Sequence, residues 1–459
     1  MNKFKKALCL ILSLVLTITL IPANSAQAAS STKSLDFTIK IRNFHQQLSW
    51  DSLNTSILST NFQDFSGAVT VTYNFEQNED KPGCTPEIYL RTGWNESDKL
   101  ESPHTITDKG QKSLTVKYPA AKIKKILNSG YVYVYGCNIK LKSIRLCGNK
   151  KNYDYGYKKS PLAKNGKLSV SGTNIVNKNG KKIQLKGSAI CGITWFPELV
   201  TRNTIKTYRD EWNANVIRLS MYVDTSMYGG QSAWEGYASA TPDQRKDILE
   251  LLYSGIDEAT KLGMYVIVDW HVLDEHDPNK YINEAKSFFK TVSKKYAKNN
   301  NILYEICNEP NGNDVTWNRV KKYADKIIPI IKKNNSDAII IVGTPTWCQD
   351  LTSPRSNPIK GYSNIMYSCH FYAKSHTDSN RNEMISAIKS GLPVFVTEYG
   401  FTDYTGDGDV DYSQAKKWTM VLDKYNVSSC FWGVKSKNDL NGQKMSKYCK
   451  YVKKYIQAK

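Results

Sequence analysis

Residues from about 34 to 148 alternate apolar and polar positions with a period of two. Phe37, Ile39 and Ile41 form one such run, Val69, Val71, Tyr73 and Phe75 a second, and Leu114, Val116 and Tyr118 a third. This is the pattern of half-buried strands. The long run Tyr131 to Leu146 carries Gly136 and slips phase near Lys142-Ser143, which predicts a bend or bulge. Turn residues punctuate these runs and helical spacing is scarce, so residues 30–148 are expected to form an all-β sandwich. The polar stretch 149–166, with Gly156 and Pro161, reads as a short linker.

From about residue 167 to 459 the pattern changes to strands alternating with helices. The predicted strands are Ile183-Gln184-Leu185 (opening the first), Val216 to Tyr222, Tyr265 to Trp270, Ile302 to Ile306, Ala338 to Val342, Ile365 to His370, Val394 to Val396 and Ser429 to Trp432. Amphipathic helical stretches follow them, among them Thr201 to Trp212, Asp243 to Leu262, Asn283 to Ala297 and Thr316 to Lys333. The strands are apolar without alternation, as a buried parallel sheet requires. Eight such units predict a (β/α)8 TIM barrel. A doubly wound sheet would more usually bring a Gly-rich phosphate loop, and none is present.

The first residues add an address. Lys3, Lys5 and Lys6 precede the apolar run Ala7 to Ile21, and Ala26-Gln27-Ala28 offers small residues for cleavage. Residues 1–28 are therefore expected to be a signal peptide, and the protein secreted, with no membrane attachment after cleavage. The formal charge is +21, three units of which belong to that leader. Lysine is spread among Asn, Tyr and Ile rather than gathered on one helix, so nucleic-acid binding is not expected. Beyond Cys9 there are nine cysteines. An odd number leaves at least one unpaired within the chain, and a disulfide in the N-terminal part is plausible without being assignable. No Cys or His pair has zinc spacing, so no metal or other cofactor is expected.

The ends of the predicted barrel strands carry the chemistry, since barrel sites lie there. The second strand holds Arg218 and Tyr222, the third ends Asp269-Trp270-His271, and the fourth runs into Cys307-Asn308-Glu309-Pro310. The sixth ends His370-Phe371-Tyr372, the seventh Thr397-Glu398-Tyr399-Gly400, and the eighth reaches Trp432. So many polar groups converging on one mouth would be costly to bury without a polar ligand. Two carboxylates without metal spacing suit glycoside hydrolysis, in which one protonates the leaving oxygen and the other attacks the anomeric carbon.

Together with Leu185-Lys186-Gly187 and Asn215-Val216-Ile217-Arg218, these motifs make residues from about 166 to 459 resemble glycoside hydrolase family 5, in particular its bacterial endo-β-1,4-glucanases. The resemblance implies a retaining endoglucanase acting on cellulose or related β-glucans. It implies Glu309 as general acid/base, Glu398 as nucleophile, and Arg218 as the group holding the nucleophile ionised. Asn308 would bind the 2-hydroxyl, His271, His370 and Tyr372 would complete the polar shell, and Trp432 would stack under the reacting sugar. Trp195 and Lys437 look like glycone-side contacts, Trp347 like an aglycone platform, and Tyr222 like a further lining ring. Cys191 stands where these glucanases typically carry a His, which leaves the glycone preference open. A mannanase, xyloglucanase or mixed-linkage glucanase on the same barrel, or a non-catalytic wall-binding protein, are the alternatives. A monomer is expected. The acidic run Thr405 to Asp411 lacks the bidentate Glu of a calcium loop and reads as a plain loop. The sandwich is expected to be a carbohydrate-binding module, with Trp50, Trp94, Tyr89 and Tyr133 as candidate stacking rings.

Overall fold

The computed structural model describes residues 33–40, 53–78, 83–93, 95–129, 131–224, 236–440 and 445–458. The predicted leader, Trp50 and Trp94 lie outside them. Eight strands come first: β1 (Ser34–Lys40), β2 (Leu53–Leu58), β3 (Phe65–Gln77), β4 (Glu87–Arg91), β5 (His104–Thr105), β6 (Ser113–Tyr118), β7 (Tyr131–Cys137) and β8 (Ile139–Lys150). They form two antiparallel sheets ordered β1-β8-β3-β6 and β2-β7-β4-β5. The alternating positions behave as a period of two demands. Val69, Val71, Tyr73 and Phe75 of β3 bury against Ile88 and Leu90 of β4 and Val132 and Val134 of β7.

The predicted phase slip is a bulge: Asn74 faces Ser143 and Phe75 faces Leu141, which leaves Lys142 as the extra residue. Asn138, at φ 52°, turns β7 into β8. A helix at Ala120–Leu127 departs from the all-β expectation, and it buries Ile123 and Ile126 in the same core. Cys84 and Cys137 are disulfide-bonded, and the seven other described cysteines are free.

A hairpin, β9 (Ser169–Ser171) and β10 (Asn174–Val176), precedes eight parallel strands that close into a barrel in chain order. These are β11 (Lys186–Ile190), β12 (Val216–Tyr222), β13 (Tyr265–His271), β14 (Ile302–Glu305), β15 (Ile339–Val342), β16 (Ile365–Tyr372), β17 (Val394–Gly400) and β18 (Ser429–Phe431). The first barrel strand begins at Lys186, later than the apolar pattern suggested. Ile175 of the hairpin, Leu168 and Leu185 pack instead with the inward residues of the strand starts, Val216, Tyr265, Leu303 and Ile339. They close the N-terminal floor of the barrel, so the other end is free for chemistry. No helix among the described residues is long and apolar enough to cross a membrane.

Residues 149–166 are ordered against the barrel. Lys151 N–H donates to the Asp64 carbonyl at 2.7 Å. Tyr153 and Tyr155 place their rings 4.7 and 4.9 Å from the guanidinium of Arg202. Arg202 is 3 % exposed and pairs both with Asp64, between β2 and β3, and with Glu258 at 2.6 Å on the helix Pro242–Leu262. A charge this buried is tolerated only when paired. The stretch is thus a strap locked across one arginine.

Candidate active site

Alternation along β12 sends Val216, Arg218, Ser220 and Tyr222 to the same face, and along β13 it does so for Tyr265, Ile267, Asp269 and His271. The lower members of each set are core, and the upper members, lying towards the strand's C-terminal end, are polar. Strand β17 breaks this rule. Its register shifts by one residue against both neighbours: Ser368 and His370 of β16 face Phe395 and Glu398, and Ser429 and Phe431 of β18 face Val396 and Tyr399. The bulge brings two consecutive side chains, Thr397 and Glu398, to the site, while Val396 and Tyr399 pack in the outer core. Gly400 follows of necessity, because a Cβ there would lie 2.6 Å from the ring of Tyr372.

Arg218, fully buried, organises the floor. It donates from Nε and Nη2 to both oxygens of Glu305 at 2.7 and 3.1 Å, from Nη1 to Glu398 Oε2 at 2.9 Å, and from Nη2 to Asn308 Oδ1 at 2.6 Å. Asp269 lies 3.0 Å from Nη2. Tyr372 donates its hydroxyl to the other oxygen of Glu398 at 2.7 Å. Glu398 thus accepts from a guanidinium at one oxygen and from a phenol at the other.

Glu309 is held differently. Burial raises its carboxyl to about 8; the more distant charges of Asp269 and Glu305 add to this, and Arg218 opposes it. Its Oε1 lies 2.7 Å from His370 Nδ1. The direction of that bond follows from the far side of the ring. Thr397 donates to Glu305 at 2.7 Å, so its oxygen accepts from His370 Nε2 at 2.9 Å. Nδ1 then carries the lone pair and accepts the proton of Glu309. Burial pushes His370 down to about 4, which keeps the ring neutral. His271 is fixed likewise. Asn308 donates to Val272 O at 3.1 Å and approaches His271 Nε2 at 3.4 Å, and Nδ1–H donates to Asp269 at 2.7 Å. Burial and then Arg218 lower His271 to about 3. Burial lifts Asp269 to about 7 against the pull of Arg218.

Ligand atoms of Glu309, His370 and Glu398 all lie within 4.8 Å of one another. The set is compact enough for a cation. However, both nitrogens of His370 are engaged, and Arg218 beside Glu398 already supplies the positive charge.

Around the carboxyl pair the aromatic residues form a file. Trp432 is half-buried and stacks on His271 at 5.1 Å and 13°. Tyr222 lies 4.3 Å from His271 and stacks on Trp195 at 4.2 Å. Trp347 stands on the rim, 44 % exposed. Lys437 opens the short helix Lys437–Leu440, and its side chain lies outside the described residues. Cys191 is buried and its thiol donates to the Trp432 carbonyl at 2.6 Å, so it anchors the end of β18. The acidic loop is spent locally: Asp407 pairs with Lys435 at 2.8 Å, and Asp411 caps the helix Tyr412–Lys424. Sequence reasoning missed the parts played by Asp269, Glu305 and Thr397. Their signal was polar side chains at inward positions of otherwise apolar strands.

The family model described as "Cellulase (glycosyl hydrolase family 5)" matches residues 176–438. The chain belongs to glycoside hydrolase family 5. Among curated relatives, the family 5 chain is 43 % identical over 275 residues to Endoglucanase A of Butyrivibrio fibrisolvens, covering 60 % of this chain and 61 % of that one. It thus spans less than two thirds of that relative's length. Among solved structures, Cellulase Cel5C_n matches with a TM-score of 0.61 at 36 % identity, over 67 % of this chain and 96 % of that one. A variant of the catalytic domain of Thermobifida fusca endoglucanase Cel5A, solved in complex with cellotetraose, matches at 0.59 and 33 %, over 65 % of this chain and all of that one. The family 5 match coincides with the barrel and leaves the sandwich outside it.

Proposed function

We propose that the protein is a secreted, retaining endo-β-1,4-glucanase cleaving cellulose or a related β-glucan. The observation that carries this reading is the carboxyl pair: oxygens within 4.8 Å, one acid pushed up by burial to about 8 and the other bonded by the Arg218 guanidinium and the Tyr372 hydroxyl. Retaining glycosidases place their carboxyls about 5–5.5 Å apart, whereas inverting ones leave room for a water. Glu398 Oε attacks the anomeric carbon as Glu309 passes its proton to the departing glycosidic oxygen, leaving a glycosyl ester on Glu398. Glu309, now a carboxylate, takes a proton from water, which attacks the same carbon and frees Glu398. Asn308, oriented by Arg218, is placed to bind the 2-hydroxyl, and Trp432 to carry the sugar's apolar face. Trp195 and Tyr222 extend that wall on the glycone side, and Trp347 receives the leaving sugars.

Cellotetraose in the Cel5A variant and the endoglucanase names of the relatives support a β-1,4-glucan substrate. Hydrolysis of cello-oligosaccharides followed by NMR tests the mechanism: the β-anomer should appear first, and an α-anomer first would sink it. Glu309→Gln and Glu398→Gln should each lose at least about 10²-fold in kcat, and full activity in either overturns the assignment. Viscosity falling ahead of reducing-end release on carboxymethylcellulose tests endo action.

The sandwich serves in this reading as a carbohydrate-binding module. Tyr133 is half-buried and feels the charge of Glu198 from the barrel, which leaves only part of its ring free, and Tyr89 is 4 % exposed and packs on Tyr135 at 5.5 Å, so Tyr89 offers no open platform. Full-length Glu309→Gln should be depleted from solution by insoluble cellulose, and Tyr133→Ala in that background should weaken depletion. No depletion of either would refute the module.

A further inference from the structure

After β15 the chain does something costly. Thr346, Trp347 and Cys348 adopt left-handed backbone in succession, at φ 57°, 52° and 60°. Each such non-glycine residue brings its Cβ too close to a carbonyl oxygen, and a run of them persists only where the surroundings hold it. The effect is to turn Trp347 out, 44 % exposed, and Cys348 in, fully buried.

What holds the run is the segment bearing Glu309. Gly343 N–H donates to Cys307 O at 3.1 Å and Trp347 N–H to Pro310 O at 3.2 Å. The thiol of Cys348 donates to Asn308 O at 2.8 Å. A Cβ on Gly343 would sit 2.3 and 2.4 Å from the carbonyl oxygens of Cys307 and Asn308, so the two backbones are in contact. Burial pushes the Cys348 thiol well up, so it stays protonated and able to donate.

We propose that Cys348 is a positioning residue that registers the Trp347 platform with the proton donor Glu309 through its hydrogen bond to the Asn308 carbonyl. This rests on the glucanase reading. A leaving sugar resting on Trp347 then presents its glycosidic oxygen to a carboxyl whose own backbone is tied to that platform. Losing the tie mispositions proton delivery to a sugar leaving group and leaves attack by Glu398 intact.

The test compares two substrates on full-length protein. A cello-oligosaccharide needs both platform and proton. A dinitrophenyl β-cellobioside departs without a proton and has no sugar for Trp347. Cys348→Ala should lower kcat/KM on the oligosaccharide about tenfold or more, since a displacement near 1 Å costs up to about 10²-fold. The aryl substrate should stay within about twofold of the parent, and Cys348→Ser, which keeps a donor, should restore the oligosaccharide rate. With Trp347→Ala, the double variant should lose no more than the worse single variant. Equal losses on both substrates, no loss on the oligosaccharide, or failure of the Ser variant to restore it would each overturn the proposal. Should Cys348→Ala not fold, Cys348→Val fills the same space without a donor and takes its place. If the parent cleaves neither substrate, it is the glucanase reading that fails.

Discussion

The hydroxyl of Thr397 decides which way the proton of Glu309 points, and replacing it isolates that role. Thr397→Val keeps the shape and deletes three bonds, the one accepted from His370 Nε2 at 2.9 Å, the one donated to Glu305 at 2.7 Å and the one shared with the Ser368 hydroxyl. A buried Nε2–H left unpaired costs about 1–3 kcal/mol. The ring relieves that cost by carrying its proton on Nδ1 instead. Nδ1–H then faces Glu309 Oε1 at 2.7 Å and favours a carboxylate there. A hydrogen bond to a charged group contributes about 1.5–3 kcal/mol, or about one to two units of pKa. Glu309 should therefore fall from about 8 to between about 6 and 7. The assay is kcat/KM against pH on a soluble cello-oligosaccharide, whose alkaline limb reports the acid in the free enzyme. That limb should move down by the same amount in Thr397→Val and stay in place in Thr397→Ser. A limb unmoved in a folded Thr397→Val would show that the hydroxyl does not set the tautomer.

Other perturbations read other parts of the structure. Arg218→Lys loses the fork that serves Glu305, Asn308 and Glu398 together, so kcat should fall at least about 10²-fold with the fold retained by circular dichroism. Stability should also follow pH with a definite sign. His271 and His370, held neutral at about 3 and 4, contribute stability that is lost as pH falls below 6.5. Asp269 and Glu309, held protonated to about 7 and 8, contribute stability that is lost as pH rises. Above pH 6.5 the histidines no longer act, and Glu275, lifted by burial to about 7, adds to the second pair, so the thermal midpoint should decline from there to pH 8, and less steeply in Glu309→Gln. A flat midpoint over that range would contradict the assignment. Arg202→Ala takes from buried Glu258 one of its two cations, leaving Lys261 at 2.7 Å, and should cost about 1–3 kcal/mol in urea unfolding. A loss below about 1 kcal/mol would mean that the strap carries little. Cys191→Ala removes the anchor on Trp432 O and should raise KM, while Cys191→Ser should not.

Much of this was legible in the chain because barrels concentrate polar residues at strand ends. Arg218, His271, Asn308, His370, Tyr372 and Trp432 all come together where their strands suggested. Glu398 reached the site for a reason that the sequence hides. A period of two would place Thr397 and Glu398 on opposite faces, and only pairing with β16 and β18 reveals the extra residue. The helix Ala120–Leu127 escaped because two buried isoleucines three apart are a faint signal among strands. Asp269 and Glu305 stood in quoted motifs, yet their partnership with Arg218 is a tertiary fact. The left-handed turn at Trp347 carries no glycine to announce it. Arg202 and Asp64 meet across 138 positions, beyond the reach of any local pattern.

That last contact bears on how such a molecule would work along a solid. A floppy tether lets a blade wander around its anchor, sampling many cutting points for one landing. Here Tyr153, Tyr155 and Arg202 leave little slack, and any pull on the sandwich is delivered straight to the helix Pro242–Leu262 of the barrel wall. If the sandwich is the anchor proposed above, the cut falls at a set offset from the point of attachment. To cut elsewhere, the whole molecule must let go and land again.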